Sequence, residues 1–100
     1  MPIRVKVYVR GAETLVAAAD SDLLGRTFHD GELRLHVSAF YDGEAMDEDG
    51  FVRQLRVATI GNFVGRETID AAVRAGFVLR DAILWIDGVP HAQFVVAGPQ

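Results

Sequence analysis

The chain has 100 residues, 50% of them hydrophobic and 24% charged, with a formal net charge of −4 and no cysteine. That length holds one hydrophobic core and a single domain, 1–100. The lack of cysteine excludes disulfides, thiolate nucleophiles and cysteine-ligated zinc.

Residues 3 to 10, "IRVKVYVR", alternate strictly, with Ile3, Val5, Val7 and Val9 on one face and Arg4, Lys6, Tyr8 and Arg10 on the other. Gly11-Ala12 turns this strand into a second run, "ETLVAAAD", and the two are expected to form an antiparallel hairpin. In "DSDLLGRTFHDG", Asp20 or Ser21 caps a short helical turn that Gly25 ends in a left-handed conformation. Asp30-Gly31 is a turn signal that launches a third strand, "ELRLHVSAFY", with Leu33, Leu35, Val37, Ala39 and Tyr41 on its apolar face and Arg34, His36, Ser38 and Phe40 opposite.

Five of the fourteen acids, Asp42, Glu44, Asp47, Glu48 and Asp49, then crowd into a loop whose end suits the positive terminus of a helix. Phe51, Leu55, Ala58 and Asn62 recur at helical spacing, and Gly61 and Gly65 interrupt the element. A second helix spans about Arg66 to Ala75 and ends at Gly76. "AILWI" and "HAQFVVA" read as two closing strands, the first central because it is apolar on both faces, joined by the turn residues Asp87-Gly88-Val89-Pro90. The order implies an α+β domain: a mainly antiparallel sheet of about five strands, two helices on one face and the other face open.

If the first and third strands share that sheet, Arg4, Lys6, Tyr8, Arg10, Arg34, His36 and Phe40 gather on the open face with no acid among them. Cations neutralise phosphates and aromatic rings stack on unpaired bases, so this set is a candidate RNA-binding surface. Outside the acidic loop the charges nearly balance, ten basic against nine acidic, so the net charge does not exclude such a partner. A rival site gathers Gly25, Arg26, Asn62, Gly65, Arg66, His91 and Gln93 into a ligand or anion pocket, with "GNFVGR" offering backbone N–H groups and the Gly-Val-Pro-His turn offering an imidazole.

Catalytic and metal chemistry find little purchase. Ser38 and His36 sit two residues apart on one strand face, about 6.6 Å between Cα atoms, which is too far for a nucleophile–base pair. His29, His36 and His91 are widely separated, and the acidic loop lacks calcium-loop spacing. The leading expectation is a noncatalytic protein with no cofactor and no metal; the alternative is a small enzyme or ligand-binding protein with a pocket near the Gly-Val-Pro-His turn. No apolar run approaches the roughly 18 residues of a membrane span, and Met1-Pro2-Ile3-Arg4 opens directly on a strand pattern, so the expected location is cytoplasmic with no membrane partner. Nine arginines, one asparagine and two methionines fit a heat-adapted source.

The ordered set Asp20, Leu23-Leu24-Gly25, Phe40-Tyr41, Ala58-Thr59, Asn62, Val64-Gly65, Gly76 and Gly88-Val89-Pro90-His91-Ala92-Gln93 resembles the archaeal domain-of-unknown-function family 424. The likeness covers nearly the whole chain, and "GVPHAQ" is its most specific part. It implies a small archaeal protein with a loose link to translation, which favours RNA or a ribonucleoprotein as partner, and it marks Leu24-Gly25, Asn62, Gly65 and His91 for inspection. A protein-interaction subunit or homodimer, using Tyr8, Phe40 or the last strand, is the remaining alternative.

Overall fold

The alternation of "IRVKVYVR" forms β1 (Ile3–Arg10) in a computed structural model that describes residues 2–96. Gly11, at φ 58°, starts a two-residue loop into β2 (Glu13–Asp20), and Arg10 faces Glu13 across the expected hairpin. A 3₁₀ turn at Ser21–Leu23 follows, with Gly25 at φ 84° beyond it. Next come β3 (Thr27–Asp30) and β4 (Leu33–His36), folded on each other around Gly31 at φ 63°. A second 3₁₀ turn, Ala39–Tyr41, leads to β5 (Glu44–Met46) and α1 (Glu48–Leu55). Then β6 (Ile60–Val64), α2 (Arg66–Arg74), a 3₁₀ turn at Arg80–Ala82, β7 (Leu84–Ile86) and β8 (Val89–Val95) complete the described chain.

Six strands form one sheet in the order β5-β1-β2-β6-β8-β7, while β3 and β4 form a separate two-stranded sheet. Only the β2–β6 pairing is parallel among the described strands; every other neighbour pair is antiparallel. The architecture is therefore the expected α+β single domain with a mainly antiparallel sheet. It carries more strands than expected and differs in three placements.

First, the anticipated strand over 32–41 stops at His36. Asp30-Gly31 closes a small hairpin instead of launching a long strand, and beyond Val37 the Ser38 hydroxyl accepts the Phe40 N–H and starts a 3₁₀ turn. Second, the helical spacing from Phe51 to Asn62 covers two elements. Helix α1 ends at Leu55, and Asn62 lies in the middle of β6, a strand flanked on both sides. Third, β7 is an edge strand rather than a central one, because β8 inserts between it and β6.

One face of the large sheet meets the helices. Ile3, Val5, Val16, Ala18, Phe63 and Ala92 pack there against Phe51, Leu55, Ile69 and Ala72. The opposite face, expected to be open, is covered over much of its breadth. Ala17, Ala19, Val64 and Ile86 meet Phe28, Leu35, Val37 and Tyr41 from the small sheet and the turn after it. Alanines at 17 and 19, both fully buried, are what let that second layer lie close on β2. Leu35 and Val37 thus serve the hairpin-side layer, while Leu33 remains exposed.

Candidate functional site

Strand pairing sorts the polar residues of the hairpin-side face into rows. Lys6, Ala17, Asn62 and Gln93 are successive cross-strand partners, and Arg4, Ala19, Val64, His91 and Leu84 form the row beside them. Asn62 on β6 and His91 on β8 are therefore brought together by sheet register, although 29 residues separate them. His91 Nε2 lies 3.1 Å from Asn62 Oδ1, and the Tyr41 hydroxyl donates to the same oxygen at 2.6 Å.

A carbonyl oxygen only accepts, so the His91 proton sits on Nε2, and a neutral ring leaves Nδ1 as an acceptor. Burial lowers the His91 pKa below its ordinary 6.5 and pushes the Tyr41 hydroxyl up to about 12, so both groups stay neutral at pH 7. The Asn62 side-chain nitrogen and His91 Nδ1 have no partner among the described residues, and neither is a buried orphan. The half-buried cluster thus leaves one donor group and one acceptor without a protein partner, with the exposed Gln93 amide across from Asn62.

The His91 shift has a stability consequence. A histidine whose folded pKa is depressed binds fewer protons in the native state, so its neutral-form stability is complete above about 6.5 and declines as pH falls through that value toward the folded pKa. Replacing His91→Gln removes that decline while keeping a side-chain donor. Urea unfolding at about pH 7.5 and about pH 5.5 checks it, with a smaller loss of stability expected in the variant.

The remaining sequence candidates are dispersed. Arg4 Nη1 contacts Asp42 at 3.3 Å and donates to the Gly43 carbonyl at 3.2 Å, so its charge is committed to the β5 approach. Lys6 lies over the Tyr8 ring, and Tyr8 stacks on Phe40 at 5.2 Å with its hydroxyl donating to the Phe40 carbonyl. Arg10 is exposed at the end of β1. Arg34 and His36 are exposed on the small sheet, where His36 Nδ1 meets Thr27 Oγ1 at 2.8 Å. The premise that the first and third strands share one sheet does not hold, and Arg34 and His36 stand apart from Arg4, Lys6, Tyr8 and Arg10.

Around Gly65 and Arg66, where an anion pocket was expected, Gly65 N donates to the Pro90 carbonyl and a cleft of about 150 Å³ is lined by Asp20, Gly65, Arg66, Gly88 and Pro90, but an acid holds the N-terminus of α2. The Asp20 carboxylate accepts from Glu67 N at 3.2 Å, Thr68 N at 2.9 Å and Thr68 Oγ1 at 2.8 Å, occupying the start of α2. Asp20 was expected to cap the turn that follows it; that turn has no side-chain cap bond. Gly65 is the residue preceding α2 and Asn62 is not a helix cap. Arg66 lies 5.2 Å over the Trp85 ring and donates to the Gly88 carbonyl, while Arg26 lies 5.1 Å over Phe28, so the two arginines pack on different aromatic rings. Gly25 N donates to the Val37 carbonyl, a bond that closes the base of the small sheet.

Sequence reasoning marked Asn62, His91 and Gln93 but missed Tyr41, whose place in an apparently alternating run suggested a core residue. Among the described residues no group of three or more His, Asp or Glu could hold a metal, and no helix is long and apolar enough to cross a membrane. A comparison with curated proteins finds none that matches. Among solved structures, the chain is similar to the crystal structure of an uncharacterized conserved protein from Methanopyrus kandleri, with a TM-score of 0.84 and 27% identity over 100% of this chain and 97% of that one. The family model described as "Protein of unknown function (DUF424)" matches residues 8–96, and with that match the chain belongs to this family.

Proposed function

We propose that this protein is a noncatalytic binder of single-stranded RNA or a ribonucleoprotein, and that its recognition site is the hairpin-side sheet face around Asn62, His91 and Gln93. The observation that carries the reading is the half-buried Asn62–His91 pair at 3.1 Å, which leaves an amide donor and an imidazole acceptor without a protein partner. Paired donors and acceptors of this kind match the edge of an unpaired base. Lys6, in the same cross-strand row as Asn62, supplies a phosphate contact. The Tyr41 phenol and Asn62 amide beside His91 are neither a base nor an activated nucleophile, which favours binding over reaction.

The test is fluorescence anisotropy with labelled 12-mers of oligo-uridine and oligo-adenosine over a salt series. Affinity is expected to fall with rising salt and to weaken in a Lys6→Glu variant. Gln93→Ala, which removes an exposed amide, is expected to weaken binding without changing stability. Absent or salt-independent binding rejects the RNA reading.

The same geometry favours a second reading, a small-molecule site for a free nucleobase or nucleoside. In that case calorimetry with free nucleosides shows binding that is insensitive to salt yet still reduced by Gln93→Ala.

A further inference from the structure

Strand β1 is paired on its outer edge for only part of its length. β5 covers Ile3, Arg4 and Val5, and Gly43 then carries the chain across the edge so closely that a Cβ there would lie 2.0 Å from the Val5 carbonyl oxygen. Beyond that crossing no described strand pairs with the outer edge of Lys6–Arg10.

The direction of the free peptide groups follows from the hairpin. Arg10 and Glu13 flank a two-residue loop, so they exchange hydrogen bonds, and alternation turns the peptide groups of Tyr8 and Lys6 toward β2 as well. Those of Val7 and Val9 therefore point outward. Their side chains are exposed, at 39% and 72%, on the helix-side face, while Lys6, Tyr8 and Arg10 project on the other. A cleft of about 600 Å³ lies inward of this edge, over the ends of β1, β2 and β6, lined by Tyr8, Arg10, Glu13, Leu15 and Ile60, and the outer edge itself is flat.

A second copy of the chain is a poor occupant. The antiparallel register that uses both Val7 and Val9 pairs Tyr8 with itself and sets Lys6 against Arg10 of the other copy, twice, and like charges directly opposite destabilise a sheet. The same register with an acidic strand turns both repulsions into attractions. We propose that the free half of β1 receives an extended acidic segment of a partner protein as an added antiparallel strand. The segment has acids four residues apart, opposite Lys6 and Arg10, a residue between them that packs on Tyr8, and small apolar residues against Val7 and Val9. This is strand addition, in which the backbone supplies affinity and alternate side chains supply choice. It shares Lys6 with the RNA reading but needs neither Asn62, His91 nor Gln93, so Gln93→Ala separates the two.

The probe is the peptide Ser-Thr-Glu-Val-Thr-Val-Glu-Thr-Ser, with a version carrying Lys in place of both Glu as its mirror. The expected result is saturable binding of the acidic peptide, with slowed amide exchange at Val7 and Val9. In a Lys6→Glu/Arg10→Glu variant of verified fold the preference reverses, the acidic peptide weakening roughly tenfold or more and the Lys peptide binding instead. Val9→Pro, which removes an outward N–H from an edge position, is expected to weaken both without unfolding the domain. Three results overturn the proposal: no binding of the acidic peptide, binding without protection at Val7 and Val9, or self-association that protects those amides. The RNA titration with Gln93→Ala is read separately, so either reading can fail alone.

Discussion

Replacing Gly65→Ala is expected to lower stability by roughly 3 kcal/mol or more and the melting temperature by on the order of 12 °C or more. Gly65 sits at φ 106°, outside the range that an L side chain adopts comfortably, and a Cβ there would come within 2.3 Å of the Asp20 carboxyl carbon. The substitution thus adds backbone strain and pushes aside the carboxylate that holds the start of α2, a cap that by itself contributes about 0.5–2 kcal/mol. Thermal and urea unfolding of Gly65→Ala, Asp20→Ala and the double variant form the check. Because Asp20→Ala removes the clashing group, the double variant should lose clearly less than the sum of the singles. Strict additivity would show that the close approach is not the cause.

Phe63→Ala is the second large effect, expected at about 3–5 kcal/mol. Phe63 is fully buried between Phe51, at 5.5 Å edge to face, and Phe94, at 5.8 Å. Its removal leaves a cavity between Phe51 of α1 and Phe94 of β8, and β8 cannot collapse into it without disturbing its pairing with β6. Trp85, although larger, is 48% exposed and contributes chiefly a surface contact with Arg66, so Trp85→Ala should cost about 1 kcal/mol or less. Equilibrium urea unfolding of both variants ranks them, and a Trp85 effect equal to that of Phe63 would contradict the placement of the core.

Much of the fold was legible because its signals are local. The alternation of Ile3 to Arg10, the Gly11-Ala12 loop, the helix ending near Gly76 and the Asp87-Gly88 half of the expected 87–90 turn each depend on a few neighbouring residues, whereas Val89 and Pro90 already belong to β8. The failures share a cause in long-range placement. Phe51, Leu55, Ala58 and Asn62 are spaced as one helix face, yet Phe51, Leu55 and Ala58 are buried in the helix-side core while Asn62 belongs to the opposite face of β6. Nothing near Asn62 announces a parallel partner 45 residues earlier in β2. In the run from Leu33 to Tyr41 the apolar parity is right as far as Val37, and the Ser38 hydroxyl then diverts the backbone.

The site shows the same division. Asn62 and His91 were recognisable as polar groups near glycine and proline turns, but the contact between them is a product of β6–β8 register. Asp20 was expected to cap the turn directly after it, whereas the helix it caps begins 46 residues later, beyond the reach of any local pattern.

The parallel pairing of β2 with β6 also sets the order in which the molecule can form. The β1–β2 and β7–β8 hairpins close through short loops, whereas β6 joins them only after the intervening segment has folded back across the sheet. Closing that long loop is entropically expensive before it is rewarded by contacts, so docking of β6 is the natural rate-limiting event. Until it occurs, the inner edges of β2 and β8 are both unpaired and open to wrong partners, and the risk of aggregation is concentrated in that interval.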